Sequence, residues 1–440
     1  MRAKVMLLVM LVSLAGTFGL LFHGAQSSAQ VLEASGKLKW YRGNMHTHSL
    51  WSDGDDFLET IAVWYRDRDY DFLCFTDHNV LADSDKWVDT ERNAGGKKAF
   101  DKLEALFPDW VETRKSGDRT QVRLRRFTEV AEKLNDPGKF LLIQGEEITD
   151  SYDHRPIHMN ANNLVERITP RGGGNVLETM QNNVNAVIAQ REKTGQPMLI
   201  HLNHPNFGYA ITAEELMQVQ GEQFFEVYNG HTSVNNHGDK RHASTERIWD
   251  IVLTKRLAEL GLPLMYGLAA DDGHRYHNIP SRASEPGRGW VHVLSTELTP
   301  AALIEAMEAG RFYSSSGVRL KRVESSPQGL SLEVDPVKGE EYVIEFVGTR
   351  RGYKPKGKPV RGVDGKLLHT TMTYDDSIGE VFATVNGTSA SYQFQGDEIY
   401  VRARITSSAE HLNPSAEGDF QQAWCQPVIG PATKVLPEVK

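Results

Sequence analysis

In the segment Asp71–Asn79, DFLCFTDHN, a short apolar run is followed by polar residues that can ligate a metal or act in catalysis. The same form returns as KFLLIQGEE at 139–147, PMLIHLNHP at 197–205 and LPLMYGLAADDGH at 262–274. Patterns typical of helices separate these runs, such as VLETMQNNVNAVIAQREKTG at 176–195. Strands that alternate with helices are typical of βα units, so the sequence predicts an α/β fold with a mainly parallel sheet.

Clusters of His, Asp and Glu stand at the ends of these predicted strands. Thirteen of the 16 histidines lie between His46 and His292, which concentrates them in one part of the chain. Because the working residues of α/β folds collect where strands end and loops begin, we expect the clusters to meet at one site. Taken alone, each cluster also has an ordinary explanation, as a helix cap, a surface loop or a hydrogen-bonded core histidine.

Metal ligation is the chemistry that these residue types favour. Imidazole and carboxylate groups bind borderline divalent metals, and the segment Gly43–Gly54, GNMHTHSLWSDG, carries both. The segments TDHN, GEE and DGH add further candidates, and one of His201 and His204 is expected to be a ligand while the other packs or supports. A tetrahedral ion uses four protein ligands or fewer. The number of candidates therefore predicts a site for two or three ions.

The first 29 residues have the pattern of a signal peptide. MRAK precedes an apolar run from Val5 to Phe22, and Ser27 and Ala29 suit the −3 and −1 positions of a cleavage site. We therefore expect an exported protein, periplasmic or extracellular, that begins near Gln30 and makes no stable membrane insertion after cleavage. An uncleaved anchor helix is the alternative, although small and polar residues interrupt the run.

Composition limits the partners of this chain. Its formal charge of −9 argues against nucleic-acid binding, for which a basic surface is expected. The two cysteines, Cys74 and Cys425, imply no disulfide framework. Nothing in the sequence predicts an oligomeric state.

Changes in the sequence pattern divide the chain into a predicted catalytic region and a predicted C-terminal module. Residues 36–317 form the predicted catalytic region, with a helical insertion at 81–139 whose basic run, RKSGDRTQVRLRR, is expected to be a solvated helix face. Residues 318–440 carry short alternating runs such as LSLEV, YVIEFV and IYVRARI. That alternation predicts a small all-β C-terminal module.

The order of the motifs resembles a known family. HTHS…SDG, TDHN, GEE, a single His, HP and DGH follow one another between about 43 and 317. This order resembles the PHP (polymerase and histidinol phosphatase) superfamily of metal-dependent phosphoesterases, and is most similar to the secreted branch that includes carbaryl-hydrolase-like enzymes. The resemblance implies a distorted (βα)7 barrel and two or three divalent ions, commonly zinc, manganese or iron.

The resemblance also implies a ligand set, carried over motif by motif. In GEE the acid of the family motif corresponds to Glu147, which leaves Glu146 as a supporting residue, and HP selects His204 over His201. The implied metal ligands are His46, His48, Asp53, His78, Glu147, His158, His204, Asp272 and His274.

Further residues are expected to take part in the chemistry. Clustered divalent ions lower the pKa of bound water, so a metal-bridging hydroxide is expected to attack the substrate. Glu147 would bridge two ions, and His231 is a candidate to protonate the leaving group. Arg288 in EPGRGW is the first candidate cation for a phosphate group, Arg275 is the second, and Glu226 is expected to hold a ligand histidine.

The sequence therefore predicts an exported metal-dependent hydrolase, a phosphoesterase that acts on a small-molecule ester. Two alternatives stay open. The same site could hydrolyse a carbamate, an amide or a carboxyl ester. The chain could also be a non-catalytic secreted protein that binds metal and whose β module makes the interactions, although the full ligand set argues against this.

Overall fold

The structure is a computed structural model that describes residues 37–433. One large sheet organises this part of the chain. The predicted signal peptide at 1–29 and the last residues of the predicted C-terminal module, 434–440, lie outside the described residues. None of the described helices is long and apolar enough to cross a membrane.

The described strands are between three and 13 residues long. In chain order they are β1 Lys39–Asn44, β2 Phe72–Phe75, β3 Trp87–Asp89, β4 Thr113–Ser116, β5 Arg119–Arg123, β6 Leu141–Tyr152, β7 Arg155–Asn162, β8 Leu199–Leu202, β9 Phe224–Asn229, β10 Tyr266–Ala270, β11 Trp290–Ser295, β12 Phe312–Ser315, β13 Leu320–Ser326, β14 Gly329–Val334, β15 Tyr342–Arg350, β16 Glu380–Asn386, β17 Ser389–Gln393, β18 Glu398–Glu410 and β19 Phe420–Ile429.

The helices lie between the early strands. They are α1 Leu58–Arg66, α2 Gly96–Leu106, α3 Phe127–Leu134, α4 Val176–Thr194, α5 Ala213–Leu216, α6 Thr245–Lys255 and α7 Pro300–Glu308. Their ends follow local sequence signals. The Asn175 side chain accepts from the backbone N–H of Glu178 at the start of α4, and Gly195 ends that helix with a left-handed φ of 70°. Helix α7 begins with Thr299 as N-cap, whose side chain accepts from the backbone N–H of Ala302, and with Pro300 in the first turn.

The α/β class is confirmed, but the sheet is mixed and not mainly parallel. Its order is β10-β9-β8-β7-β6-β2-β1-β11-β12-β19-β18-β15-β16. Four neighbouring pairs are parallel, namely β1–β2, β2–β6, β8–β9 and β9–β10, whereas β7 is antiparallel to both of its neighbours and β11 is antiparallel to β1. Within the described residues β10 and β11 share no ladder, so closure into a (βα)7 barrel is not confirmed.

A hairpin explains why the parallel prediction fails. Strands β6 and β7 are joined through Asp153 and His154, whose φ values of 48° and 62° suit a tight two-residue turn that matches the twist of antiparallel strands. Glu147 therefore lies inside a 12-residue strand and not at a strand end as expected. The hairpin register pairs Thr149 with His158, which brings that histidine beside Glu147.

The predicted helical insertion at 81–139 is a mixed structure. It contains α2 and α3, but also a three-stranded sheet in the order β3-β5-β4. The basic run predicted as a helix face forms the β4–β5 hairpin, because Gly117, with a φ of 66°, allows a tight turn there. Val122 of β5 and Val130 of α3 pack in one core with residues of α1, so the insertion covers the first helix.

The described residues after α7 contain strands and no helix, as predicted for the C-terminal region. However, only β13, β14 and β17 form a sheet of their own, in the order β13-β14-β17, whereas β12, β15, β16, β18 and β19 belong to the large sheet. Strand β19 pairs with β12, with Tyr313 opposite Cys425, so the large sheet continues through the predicted boundary at 317. An ion pair adds a second connection, since Arg402 donates from two nitrogen atoms to the two carboxylate oxygens of Asp250 on α6, at 2.8 Å each.

Candidate metal centre

The HxH segment follows β1 directly and carries two fully buried histidines. Asn44 stabilises the segment by donating to the carbonyl of His46 at 2.9 Å and to the hydroxyl of Thr47 at 2.6 Å. The Nε2 atoms of His46 and His48 lie 3.0 Å apart. Nitrogen ligands bind a zinc-like ion at about 2.0–2.1 Å, so neighbouring ligand atoms on one ion stand about 3 Å apart. The two rings are therefore placed to share an ion.

Nine side chains bring their ligand atoms together in four overlapping clusters. In each cluster the ligand atoms all lie within 4.8 Å of one another. The clusters are His48, Asp53, His78 and His274; His46, His204 and Asp272; His46, His48 and Glu147; and His78, Glu147 and His158. These are the same nine residues that the family resemblance implied. The structure brings all of them together, and their ligation of metal stays a prediction.

Glu147 occupies the middle of this arrangement. Its Oε1 lies 3.0 Å from Nδ1 of His158 and accepts from Nδ2 of Asn203 at 2.8 Å. Its Oε2 lies 2.9 Å from Nδ1 of His78 and 3.3 Å from Nε2 of His48. This second oxygen is buried and has no hydrogen bond among the described residues. A buried carboxylate oxygen without a donor is costly, and a divalent cation would satisfy it. The residues therefore fit a metal group.

Glu226 on β9 orients the first histidine. Its Oε1 accepts from Nδ1 of His46 at 2.7 Å, which leaves the lone pair of that ring on Nε2, the atom that faces the cluster. Its Oε2 accepts from the backbone N–H of His204 and from Nδ2 of Asn229, both at 2.8 Å. Carboxylates that hold ligand histidines in this way are usual around metal sites. The structure places Glu226 where the sequence predicted it.

Two aspartates next to predicted ligands have supporting positions. Asp77 is buried and accepts four hydrogen bonds, from the backbone N–H and the hydroxyl of both Ser49 and Ser52, so it fixes the loop that carries Asp53. Asp271 accepts from the hydroxyl of Tyr65 at 2.8 Å and from backbone N–H groups. Neither belongs to a cluster. The sequence could not show this, because each adjoins a ligand candidate.

His204 and His201 differ in their positions, and which of them ligates metal stays a prediction. His204 belongs to a cluster, and its φ of 20° is an unusual value for a non-glycine residue. Asp272 in the same cluster also has a positive φ, 50°. His201 is fully buried, lies outside the four clusters, and its ring nitrogens make no hydrogen bond among the described residues. The positive φ values strain the backbone at His204 and Asp272, and such strain is often found at functional sites, where the surrounding structure stabilises it.

The electrostatics of the site favour cations. Burial acts to lower the pKa of His46, but the carboxylates of Asp272, Glu226 and Glu147 outweigh it and raise that pKa well above its usual value. Burial likewise opposes ionisation of Glu147, yet the surrounding histidines, His78 first, hold its pKa well below the usual range. Two imidazoles that share the same carboxylates cannot both hold a proton easily. A site that attracts protons so strongly also attracts metal ions, which displace them.

The prediction for Arg288 is wrong. Its side chain is fully buried, and its guanidinium donates to the carbonyls of Ser281, Ala283, Gly230 and Asn413, besides the Asn413 side chain and Glu285. Every nitrogen of the guanidinium is therefore used by the protein, and none is left for a phosphate. The glycines on either side allow close approach, but to the protein's own backbone.

His231 lies at the rim of the site. Its ring is 5.4 Å from that of His274 and 5.9 Å from that of Phe207, measured between centroids. Its Nδ1 accepts from the backbone N–H of Ser233 at 3.0 Å, so the neutral ring carries its proton on Nε2. Burial lowers the pKa of His231, which favours this neutral form. Arg275, beside His274, is exposed.

Fold and site together define a mixed α/β protein with clustered His, Asp and Glu side chains that could hold divalent metals. No protein-family model and no curated protein matches the chain. Two solved structures show a weak likeness. One is a two-domain protein from Bacteroides vulgatus containing a predicted PHP-like metal-dependent phosphoesterase, with 15% identity, a TM-score of 0.39, and 93% of this chain and 98% of that chain covered.

The second is a protein from Bifidobacterium adolescentis whose description as a metal-dependent phosphoesterase is itself a prediction. It is 13% identical, with a TM-score of 0.29, and 62% of this chain and 96% of that chain are covered. At such TM-scores the likeness carries no argument about this chain. Its function has to be inferred from the geometry of its own site.

Proposed function

We propose that this protein is a metal-dependent hydrolase that holds two or three divalent ions. The observation that carries the proposal is the overlap of the four clusters, because Glu147, His46, His48 and His78 each belong to two of them. Ligands shared between clusters place the ions next to one another. Imidazole and carboxylate ligands suit zinc, manganese or iron.

The protein's own side chains have distinct tasks in this proposal. Bound ions would supply an activated water at neutral pH and would neutralise charge on the substrate. Glu226 and Asn203 hold His46 and Glu147 in place through the hydrogen bonds described above. His231 can present an Nε2–H to a leaving group at the rim, because its Nδ1 is occupied by a backbone N–H.

A phosphoester is the substrate class that the charge balance favours. The nine side chains include three carboxylates, and the other six are histidines, which bind metals in the neutral form. Two or three divalent ions therefore leave the ligand set with a net positive charge. Such a site binds an anionic ester and stabilises the negative charge that develops during its hydrolysis.

Hydrolysis of a carbamate, an amide or a carboxyl ester is the second candidate. The observation that favours it is the position of Arg288, which removes the side-chain cation that was expected to bind a phosphate. A neutral carbonyl substrate needs no such cation. A binding protein without activity is less favoured, since a carboxylate and an amide orient His46 and Glu147 through hydrogen bonds.

We also propose membership of the PHP superfamily, near its secreted carbaryl-hydrolase-like branch, and export with cleavage near Gln30. The motif order and the N-terminal sequence support these proposals. The barrel form of that family belongs to the same proposal.

A pair of variants on neighbouring glutamates tests the function. Glu147→Gln should lower metal content below that of the wild type and abolish turnover. Glu146→Gln is the matched control, because Glu146 is buried on the other face of β6, where it accepts from the backbone N–H of Ile168. Burial raises the pKa of Glu146 to about 7, so glutamine imitates its protonated form.

The assays are elemental analysis after reconstitution with zinc, manganese or iron, and hydrolysis of bis(p-nitrophenyl) phosphate beside a naphthyl carbamate. We expect at least two ions per chain and faster turnover of the phosphate. Fewer than one ion per chain, or equal effects of the two variants, would contradict the proposal. Faster turnover of the carbamate would select the second candidate.

A further inference from the structure

A cavity of about 230 Å³ lies between the early strands and the C-terminal part of the chain. Arg42 of β1 and His292 of β11 stand opposite each other in the sheet register and line it from one side. Their neighbours Tyr41, Val291 and Val293 point to the other face, into a hydrophobic core. Trp290 and Arg319 also line the cavity. The cavity includes none of the nine residues of the candidate metal centre.

The lining is rich in cationic and hydrogen-bond-donating groups and includes no carboxylate. This is unexpected in a chain with a formal charge of −9. Nearby acids compensate only in part. Asp335 pairs with one terminal nitrogen of Arg319 at 3.0 Å, and Asp71 accepts from the backbone N–H of Arg42 and not from its side chain.

His292 offers a donor that the protein does not use. Its side chain is buried, and its Nε2 accepts from the indole N–H of Trp290 at 3.0 Å. The neutral ring must therefore carry its proton on Nδ1. No described residue accepts a hydrogen bond from that Nδ1. Burial, with Arg42 and Arg319 adding to it, holds the pKa of His292 well below its usual range, so the ring stays a neutral donor in a positive environment.

Arg42 is held rigidly in the same wall. Its guanidinium carbon lies 3.9 Å from the ring centroid of Tyr70 and 3.8 Å from that of Trp290. Stacking on aromatic rings occupies the faces of the guanidinium and leaves its N–H edges for other partners. One terminal nitrogen donates to the carbonyl of Arg68 at 3.3 Å, whereas the Nε–H is buried and has no acceptor among the described residues.

We propose that this cavity binds a small tetrahedral oxyanion, either a free phosphate or sulfate ion or the phosphate end of an organic molecule. A guanidinium edge, a second arginine and a neutral imidazole N–H are the donors that recognise such an anion. The volume accommodates the anion with a small substituent. The site is separate from the candidate metal centre, and the proposal does not rest on the proposed hydrolase function.

Sulfate is the first probe, and the full chain loaded with metal is the sample. Calorimetric titration should show sulfate binding to the wild type. Arg319→Gln should weaken it about tenfold or more, the loss expected for one charge-assisted hydrogen bond. The matched control is Arg322→Gln, because Arg322 is an exposed arginine of β13 that pairs with Glu324 and does not line the cavity.

A second variant keeps the test decisive. Arg42→Gln should also weaken sulfate binding, and the Arg322→Gln protein should bind like the wild type. Thermal melts show whether each variant is folded, and Arg319, which is largely exposed, can be replaced with little risk to the fold. The proposal is refuted if the wild type does not bind sulfate, or if the folded Arg319→Gln and Arg42→Gln proteins bind it as the wild type does.

Competition separates the two sources of the anion. Only the sulfate whose binding depends on Arg319 is counted here, since anions can also bind the proposed metal centre. Displacement of that sulfate by glucose 6-phosphate, with a tighter affinity than inorganic phosphate, would assign the site to an organic phosphate. Displacement by inorganic phosphate alone would assign it to the free ion. If neither compound displaces sulfate, the cavity is not an oxyanion site of this kind, and the proposal is wrong.

Discussion

Glu226→Gln is the variant that most directly probes how His46 is oriented within the candidate metal centre. In the structure the two oxygens of Glu226 accept from Nδ1 of His46, from the backbone N–H of His204 and from Nδ2 of Asn229. A glutamine cannot satisfy all three donors. If its carbonyl oxygen faces His46, its NH2 group faces the two remaining donors, the backbone N–H of His204 and Nδ2 of Asn229.

The opposite orientation of the glutamine has a different cost. Its amide group then faces Nδ1 of His46, and the ring must move its proton to Nε2. That atom lies 3.0 Å from Nε2 of His48 and 3.2 Å from Oδ1 of Asp272, so the lone pair needed for a metal ion is lost. Loss of a carboxylate that holds a ligand histidine typically lowers metal affinity by about 10–100-fold, or about 1.4–2.7 kcal/mol.

The assay is a competition titration of zinc against a chromophoric chelator, with turnover measured on the same samples. Glu222→Gln is the matched control, since Glu222 is a buried glutamate just before β9 that belongs to no cluster. Burial raises the pKa of Glu222 to about 8, so glutamine imitates its protonated form at neutral pH. Equal zinc affinity in the Glu226→Gln, Glu222→Gln and wild-type proteins would refute the assigned role of Glu226.

Three further predictions follow from other buried groups. His204→Ala should abolish hydrolysis and lower metal content, whereas His201→Ala should keep metal and lower only the melting temperature. Metal analysis and thermal melts of both variants test this, and metal loss in His201→Ala with metal retained in a folded His204→Ala protein would reverse the assignment. The folded-state pKa of Glu222, about 8 against its usual 4.5, means that this group stabilises the fold fully below about pH 4.5 and that the stabilisation is lost as the pH rises through about 8, on the order of 5 kcal/mol in all. Urea unfolding across this range should show that slope in the wild type and a flatter profile in Glu222→Gln; parallel profiles would contradict the assignment. Arg288→Met should lower the free energy of unfolding by at least about 3 kcal/mol, because it leaves buried carbonyls without a donor, and an unchanged urea midpoint would contradict this.

The set of nine clustered residues came from the family resemblance, motif by motif, and local sequence signals supported part of it. His, Asp and Glu are common metal ligands, and several of the nine follow short apolar runs that predict buried strands, as in DFLCFTDHN and PMLIHLNHP. The structure adds what these patterns do not contain. Asn203 supports Glu147 through one amide hydrogen bond, and an asparagine in a loop gives no sign of such a partner.

The errors arose where long-range contacts decide the outcome. Arg288 was expected to face a substrate, but its carbonyl partners include Gly230 and Asn413, which are remote in sequence. The β6–β7 hairpin turns at Asp153 and His154, a pair without the glycine that normally marks a two-residue turn. The strands β3–β5 of the insertion are three to five residues long and are exposed or half-buried at every position except Val122, so they lack a clear alternation of apolar residues.

The pairing of β12 with β19 has a consequence for synthesis of the chain on the ribosome. The residue opposite Tyr313 is Cys425, so more than a hundred residues must be added before the free edge of β12 finds its partner. Until then β12 is an unpaired edge next to the strand that borders β1, and such edges are prone to pair with other chains. The late strands therefore protect a nascent protein from self-association, because β19 covers the edge of Phe312–Ser315.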